Sequence, residues 1–542
     1  MSLNLKSRQG YSSWGSRWCQ PMEKPVVIIG AGISGLLACK YTLEKGFNPI
    51  VLEAEERIGG VWGCTIESTK LQNSKESFQF SDFPWPSSVT ETFPGHSQVM
   101  EYLESYAKHF GILPCIRFNS RVIGINYTGE SCEEIQTWGL WGGTGKPFGS
   151  KGRWLISVQN TRTCTTEVYQ AEFVILCIGQ FGGLPNIPEF PLNQGPEVFD
   201  GKVLHSMDYA AMDGISAAKL IKKKRVAVIG SYKSAVDIVA ECSNANGVDY
   251  PCAMIQRSAH WFLPDNPLSG LALGFLYLNR FAELTVHKPG ETFLLSLLAA
   301  LLSPLRWGFS KLIESYLRWK FPLKKYGVIP ESSFLDTVYS CQVGMLPEKF
   351  YEKVEEGSII LKRAQSFSFC PQGLIIDGGA QPLETDIVIF ATGYKGDQKL
   401  KNIFESASLK NLFDPSSTST FPLYRQVIHP RIPRLAVIGY AESFSNLGSS
   451  EIRCQWLAQL LDGKFELPPI RDMEKDVKIW ETHIKRVAGK YFRRSCIGNT
   501  HIWYNDQICK DLGCEPRRKK GFFTDLFVPY TPTDYAGLTA DS

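Results

Sequence analysis

Apolar residues in this chain cluster in short unbroken runs, each ending at a glycine turn or an acidic residue. "VVII" (Val26–Ile29) runs into "GAGISG", and "ISGLLACKYTLEKG" then repeats apolar residues at helical spacing up to Gly46. "NPIVLEA" follows, and the order recurs later as "RVAVIG", "SYKSAVDIVAEC" and "CAMIQRS". Two further runs, "EFVILCIGQ" and "ETDIVIFATG", carry no alternation. Runs of this kind read as parallel strands buried on both faces, and strands separated by helical patterns read as βαβ units. The fold class expected is α/β, with two Rossmann-type dinucleotide-binding domains.

The glycine spacing says what such units would hold. Gly30 makes the tight turn, Gly32 allows close backbone approach, Gly35 allows helix-to-strand packing, and Glu53 stands 23 residues after Gly30 for a ribose hydroxyl. A carboxylate there repels a 2′-phosphate, so this site prefers FAD or NAD over NADP. "RIGGVWG" follows, in which Gly60 and Trp62 would lie close to a cofactor, or form an ordinary glycine turn. In the second unit Gly230 is kept, but Tyr232 holds the middle glycine position and Ala235 the third. Phosphates would then rest on the helix N-terminus, with Lys233 and Ser234 beside them. Arg257, 27 residues after Gly230, suits a 2′-phosphate, although a plain surface arginine reads the same way. The simplest assignment is FAD on the first unit and NADPH on the second, with the NADPH domain inserted into a split FAD domain. The boundaries expected are 24–218 and 333–470 for FAD and 219–332 for NADPH, with an extension at 471–542. "KIWETHIKRVAGKYF" within that extension reads as helix, and the stretch from Pro516 as packed loop.

Composition narrows the rest. The 542 residues are 44% hydrophobic and 21% charged with net charge +4, an ordinary globular balance that asks for no nucleic acid. Fifteen scattered cysteines with no C-x-x-C pair argue against a disulfide framework and for a reducing compartment. Residues 1–23 lack an apolar signal core and read as a disordered extension. The longest apolar run, Phe293–Leu305, is interrupted by Pro304 and followed by Arg306, too short for the roughly 20 residues of a spanning helix. This run and Gly270–Leu278, followed by basic and aromatic residues, read either as helices packed over a substrate entrance or as a monotopic contact with a membrane surface.

One motif specifies the family. "VFDGKVLHSMDY" places Phe199, Gly201, His205 and Tyr209 in the pattern F-x-G-x-x-x-H-x-x-x-Y. Here the chain resembles the flavin-containing monooxygenases, over roughly Lys24–Pro468. Baeyer–Villiger relatives usually carry tryptophan where this chain has Tyr209. "FSDFPWP", "GSYKSA", "LSPLRW", "PLKKYG" and "FATGYKGD" resemble the plant group near N-hydroxypipecolate synthase, which also tolerates the missing middle glycine.

The resemblance implies that His205 supports NADPH handling between the domains. It implies that Thr392 and Gly393 lie where the chain passes between them, and that an amide sits beside the flavin. Counting back from "DFPWP" puts that amide on Gln72, and Asn73 serves equally. It further implies that NADPH reduces FAD, that dioxygen forms a flavin C4a-hydroperoxide, and that one oxygen passes to a soft nucleophile. The nearest resemblance points to amine nitrogen, with thioether sulfur, a Baeyer–Villiger ketone or a 2-oxo acid as alternatives. No metal is needed. The partners expected are the small amine or thioether and dioxygen; location is cytoplasmic, at the endoplasmic reticulum surface if the apolar insert touches lipid. Two other readings stand beside this one. A dithiol reductase needs a cysteine pair near the flavin, and "CKDLGC" (Cys509–Cys514) lies outside the cofactor core. A scaffold keeping FAD only for folding would not need Arg257, Lys233 or the Phe199–Tyr209 motif.

Overall fold

A computed structural model of the chain describes residues 25–265, 274–413 and 420–539; of Asn499 only the backbone is described. The expected extension 1–23 and residues 270–273 of the apolar piece Gly270–Leu278 lie outside the described residues.

Ten strands build two parallel sheets: β1 (Val26–Ile29), β2 (Pro49–Leu52), β3 (Ile116–Arg117), β4 (Phe173–Leu176), β5 (Lys202–His205), β6 (Val226–Ile229), β7 (Cys252–Gln256), β8 (Ile359–Arg363), β9 (Ile387–Phe390) and β10 (Leu435–Val437). The first sheet has the order β10-β4-β1-β2-β3 and the second β8-β7-β6-β9-β5. Each glycine strand sits centrally, and β1, β4, β6 and β9 are buried along their whole length. That is why they read as continuous apolar runs. A helix follows each glycine strand: α1 (Ile33–Glu44) after β1, and α2 (Lys233–Asn246) after β6.

The sheet order corrects the domain boundaries. β5 precedes residue 219, and β8 and β9 follow residue 332, yet all three pair in the second sheet. The second domain therefore takes strands from about residue 202 to 390. A buried apolar strand has the same pattern in either sheet, so periodicity could not assign it.

The insert is also different from its expectation. Phe293–Lys320 is a single 28-residue helix, α3, with Pro304 inside it. Proline removes one donor and frees the carbonyl four residues back. Ser303 Oγ donates to that carbonyl, Ala300 O, at 3.0 Å, which lets the helix continue. By length and apolar content α3 could cross a membrane. Among the described residues it is the one helix that could.

Beyond the second sheet the chain returns to the first. α4 (Asn446–Leu461) packs on α1, the C-terminal α5 (Ile470–Ala488) and α6 (His501–Asp511) add residues to the same core, and α7 (Phe522–Phe527) packs on the insert segment Arg280–Leu284. Trp480, Ile484, Ile502, Tyr504 and Ile508 join the core of the first sheet, so the extension is part of the fold. α7 replaces the loop expected after Pro516.

Candidate active site

The first glycine turn is assembled from five residues of the sequence motif. Gly30 has φ +104°, and a Cβ on it would sit 2.6 Å from Cys177 O. A Cβ on Gly35 would overlap Gly30 O, so the α1-to-β1 contact tolerates only glycine. Gly32 caps α1 and faces Gly60: a Cβ on Gly60 would lie 3.0 Å from Gly32 Cα. Glu53, at the end of β2, accepts from Ala31 N at 2.6 Å and Glu55 N at 3.0 Å. Burial raises its pKa, against the lowering pull of these backbone donors. Trp62 follows, half-buried, with its carbonyl bonded to His96 Nε2 at 2.9 Å.

These residues fit a bound dinucleotide. Two bare glycine faces meet at the N-terminus of α1, where exposed amides and the helix dipole favour a diphosphate. Gln180 Nε2, just past the C-terminal end of β4, is buried with no hydrogen-bond partner among the described residues. Ligands of open parallel sheets sit at that end of the strands.

The second turn gathers Gly230, His205, Thr392 and Gly393. Gly230 (φ +151°) packs against Ala391 O so closely that any Cβ would overlap it. His205 is buried; its Nδ1 accepts from Met207 N at 3.1 Å and its Nε2 donates to Gly393 O at 3.1 Å. Burial lowers its pKa, so it is a neutral imidazole holding the Gly393 loop. Thr392 Oγ1 donates to Asn186 O, and Asn186 N donates to Gly393 O at 2.9 Å, tying the two crossing segments together. Tyr232 caps α2, with its ring 4.0 Å from the ring of His260. Ser234 is exposed in the first turn of α2, and Arg257 is exposed just beyond β7. Lys233 Nζ lies along the helix on Asp237 Oδ1 at 2.7 Å, facing a 180 Å³ cavity that Lys70, Asp265 and Lys353 also line.

The two amide candidates stand side by side with different partners. Asn73 Nδ2 donates to Phe444 O, and Gln72 Oε1 accepts from Met345 N at 3.4 Å. Asn73 thus binds the loop after β10, and Gln72 the segment before β8.

Three features of this region were not foreseen. Phe444 lies between the insert and the extension, its ring 6.2 Å from that of Tyr277 and 6.1 Å from that of His501. Its position past the C-terminal end of β10 was the available signal. Lys399 is mostly buried and donates to Ile178 O at 2.6 Å; burial lowers its pKa while Glu53 and Cys64 raise it. No motif marks it. Cys341 and Cys496 form a disulfide, with Cα atoms 5.7 Å apart, which corrects the expectation drawn from cysteine spacing. A separation of 155 residues hides such a pair. A Cβ on Gly498 would lie 2.8 Å from Cys341 Sγ and 3.7 Å from the Phe444 ring, so the bridge fastens the extension to the wall of this site.

Known proteins are similar to this chain in sequence and in fold. A model of the flavin-binding monooxygenase-like family matches residues 23–531. Probable flavin-containing monooxygenase 1 of Arabidopsis thaliana is 41% identical over 514 residues, covering 94% of this chain and 96% of that protein. Among solved structures, open cyclohexanone monooxygenase is similar at TM-score 0.65 and 16% identity, over 90% of this chain and 97% of that one. S-allyl-L-cysteine S-oxygenase from Allium sativum is similar at TM-score 0.54 and 16% identity, over 91% and 89%.

Proposed function

The chain belongs to the flavin-binding monooxygenase-like family, and from that premise we propose that it transfers one oxygen atom to the nitrogen of a small amine. It is a monooxygenase that works with FAD and NADPH. Bound FAD, reduced by NADPH, supplies the activation of dioxygen.

The chain's own residues have defined tasks. Gly32 and Gly60 admit the FAD diphosphate to the N-terminus of α1, and Glu53 receives a ribose hydroxyl. Arg257 meets the 2′-phosphate that distinguishes NADPH. Asn73, with its Nδ2 fixed on Phe444 O, holds its Oδ1 in one orientation beside the reacting atoms. Phe93, Trp261, Tyr277 and Phe334, all buried, pack with Phe444 and keep bulk water from that side. The observation that supports the reading is an amide, Asn73, fixed on Phe444 O, with the apolar cluster that packs on Phe444 beside it. The same wall accepts a thioether, and sulfur is the second acceptor.

The test is NADPH consumption by the flavin-loaded protein, with peroxide followed in parallel, against pipecolate, tertiary amines and a thioether. An amine that gains one oxygen by mass and lowers peroxide per NADPH supports the proposal. Oxygen gain by the thioether alone moves the assignment to sulfur. Peroxide from every compound rejects both.

The reading extends to location: the protein works in the cytoplasm, docked on the endoplasmic reticulum surface through α3. This helix is inverted. Its buried positions are Ala299, Arg306, Ser310, Glu314 and Leu317, while Phe293, Leu301, Leu312 and Trp319 are 67–82% exposed. A spanning helix would leave Arg306 and Glu314 in lipid, so the helix lies on the surface. Arg318, Lys320, Lys324 and Lys325 at its end suit anionic headgroups. Purified protein should sediment with phosphatidylserine-containing vesicles, and Leu301→Glu with Leu312→Glu should weaken this about tenfold while NADPH oxidation in solution is unchanged. Wild-type protein that stays in the supernatant rejects the docking.

A further inference from the structure

We propose that Cys341 and Cys496 are a reversible redox site: hydrogen peroxide closes the bond between them, a dithiol opens it, and the closed bond tightens the wall beside Asn73. The inference goes beyond the amine reading and needs no choice of acceptor.

The bond joins two distant segments. Cys341 follows the short helix Phe334–Tyr339, and Cys496 lies 155 residues later in the extension. No other disulfide occurs among the described residues. The two sulfurs differ in reach, because Cys496 is 2% exposed whereas Cys341 is half-buried. Thiol exchange therefore begins at Cys341, and Cys496 is the group released. In the cytoplasm, where the reading above puts the protein, thiols are kept reduced and a disulfide is transient.

Both states have a place for the sulfurs. Cys341 Sγ lies 3.6 Å from Glu442 O, and Cys496 Sγ lies 3.3 Å from Tyr339 O. On reduction each S–H finds a carbonyl already in position, so the open form buries no unpaired donor there. Cys341 also has φ +54°, a left-handed backbone that a residue with a Cβ adopts at a cost. Opening the bond lets that residue relax.

The bond also stands beside the reaction centre. A Cβ on Gly498 would lie 2.8 Å from Cys341 Sγ and 3.7 Å from the Phe444 ring, and Phe444 O holds Asn73. Hydrogen bonds hold the same segment in either state. Glu442 N donates to Ser495 O at 2.7 Å, and Ile497 N donates to Glu442 O at 2.9 Å. Arg493 Nη2 donates to the Glu442 carboxylate at 2.8 Å. On either side of the segment, Trp480 and Ile502 remain in the core of the first sheet. Opening the bond thus loosens the wall without unfolding the extension.

The chemistry is self-contained. Peroxide is the by-product when activated oxygen finds no acceptor, so the oxidant is made in the same site. One peroxide oxygen passes to the Cys341 sulfur as a sulfenic acid, and the other leaves as water. The Cys496 thiol attacks that sulfur, forms the S–S bond and releases the second oxygen as water. Two thiols and one peroxide give one disulfide and two waters. Peroxide lost from a loosened site thereby closes it again. A dithiol reverses the step: it supplies two electrons and two protons and leaves as its own disulfide.

The experiment uses the flavin-loaded full chain, and its first readout is peptide mass spectrometry after thiol alkylation. In the folded protein excess dithiothreitol should open Cys341–Cys496 within about an hour, and a small excess of hydrogen peroxide should restore it. Trypsin should cut after Lys490, Arg493 and Arg494 about tenfold faster in the open form. Substrate-free peroxide release from NADPH should be about threefold faster. Cys341→Ser and Cys496→Ser should match the open form under both treatments. Cys164→Ser, which removes an exposed cysteine from a strand-to-strand turn, should keep the full response. A bond that opens only when the protein unfolds is a structural brace, and the inference falls. It falls too if peroxide carries Cys341 to a sulfinic acid without restoring the bond, or if the two forms are cut equally or release peroxide equally. If the bond cycles and controls peroxide release while no amine gains oxygen, the redox site stands and the amine reading fails.

Discussion

Gly32 and Tyr232 cap the two cofactor helices in nearly the same extended backbone, φ −73°, ψ −176° against φ −103°, ψ −170°. Each follows a positive-φ glycine pressed against a carbonyl of the next strand, Cys177 for Gly30 and Ala391 for Gly230. From there the turns part. At the first, Gly32 faces Gly60, and Gly35 packs where no Cβ fits. At the second, a tyrosine ring stacks on His260 and Ala235 carries a methyl group. One backbone plan thus yields two grips. The bare turn lets a diphosphate reach the amides closely, as suits a resident FAD. On the proposed assignment the turn with a side chain would hold its ligand farther out, as suits a coenzyme that must exchange.

The strongest way to break this comparison is at the first turn. Gly32→Ala is allowed by its backbone, and its Cβ would meet only Gly60, at 3.4 Å from Cα. The apoprotein should therefore melt within about 2 °C of wild type while FAD affinity falls about 100-fold, near 3 kcal/mol. Gly35→Ala should instead lower soluble yield, because its Cβ overlaps Gly30 O. Ala235→Gly, the matching change at the second turn, should leave both fold and flavin content intact. Normal flavin content in Gly32→Ala would show that close approach is not what the first turn provides.

How much of this was legible depends on range. The glycine turns, Glu53 and the strand runs are local patterns, and the sheets contain them as read. Sheet membership was not legible: β5 and β9 are apolar runs that fit either sheet, and only pairing places them with β6. The length of α3 was hidden because proline normally stops a helix, and the Ser303 hydroxyl that compensates is not a motif. Phe444, Lys399 and the Cys341–Cys496 bond depend on contacts between distant segments. Arg306 was visible only as the charge ending an apolar run; its burial could not be seen until the inverted face of α3 was known. The Gln72-or-Asn73 register also needed structure, because the two amides differ only in what they bind.

A smaller effect sharpens the second half of the comparison. If Tyr232 keeps the phosphates away from the backbone, affinity at the second turn must come from side chains, and Arg257 is the one placed for the 2′-phosphate. It stands just beyond β7, the strand beside the glycine strand, where Glu53 stands beyond β2 in the first sheet. The two positions carry opposite charges, which on the proposed assignment would separate FAD from NADPH. Arg257→Ala should raise the KM for NADPH about 10- to 30-fold, near 1.4–2 kcal/mol, with kcat little changed. The KM for NADH should stay within about twofold, because NADH has no group for the guanidinium to meet. Steady-state kinetics with both coenzymes reads this directly. A parallel rise for both would place Arg257 outside the phosphate site, and discrimination would then belong to another cation near the turn, with Lys233 released from Asp237 the first to examine.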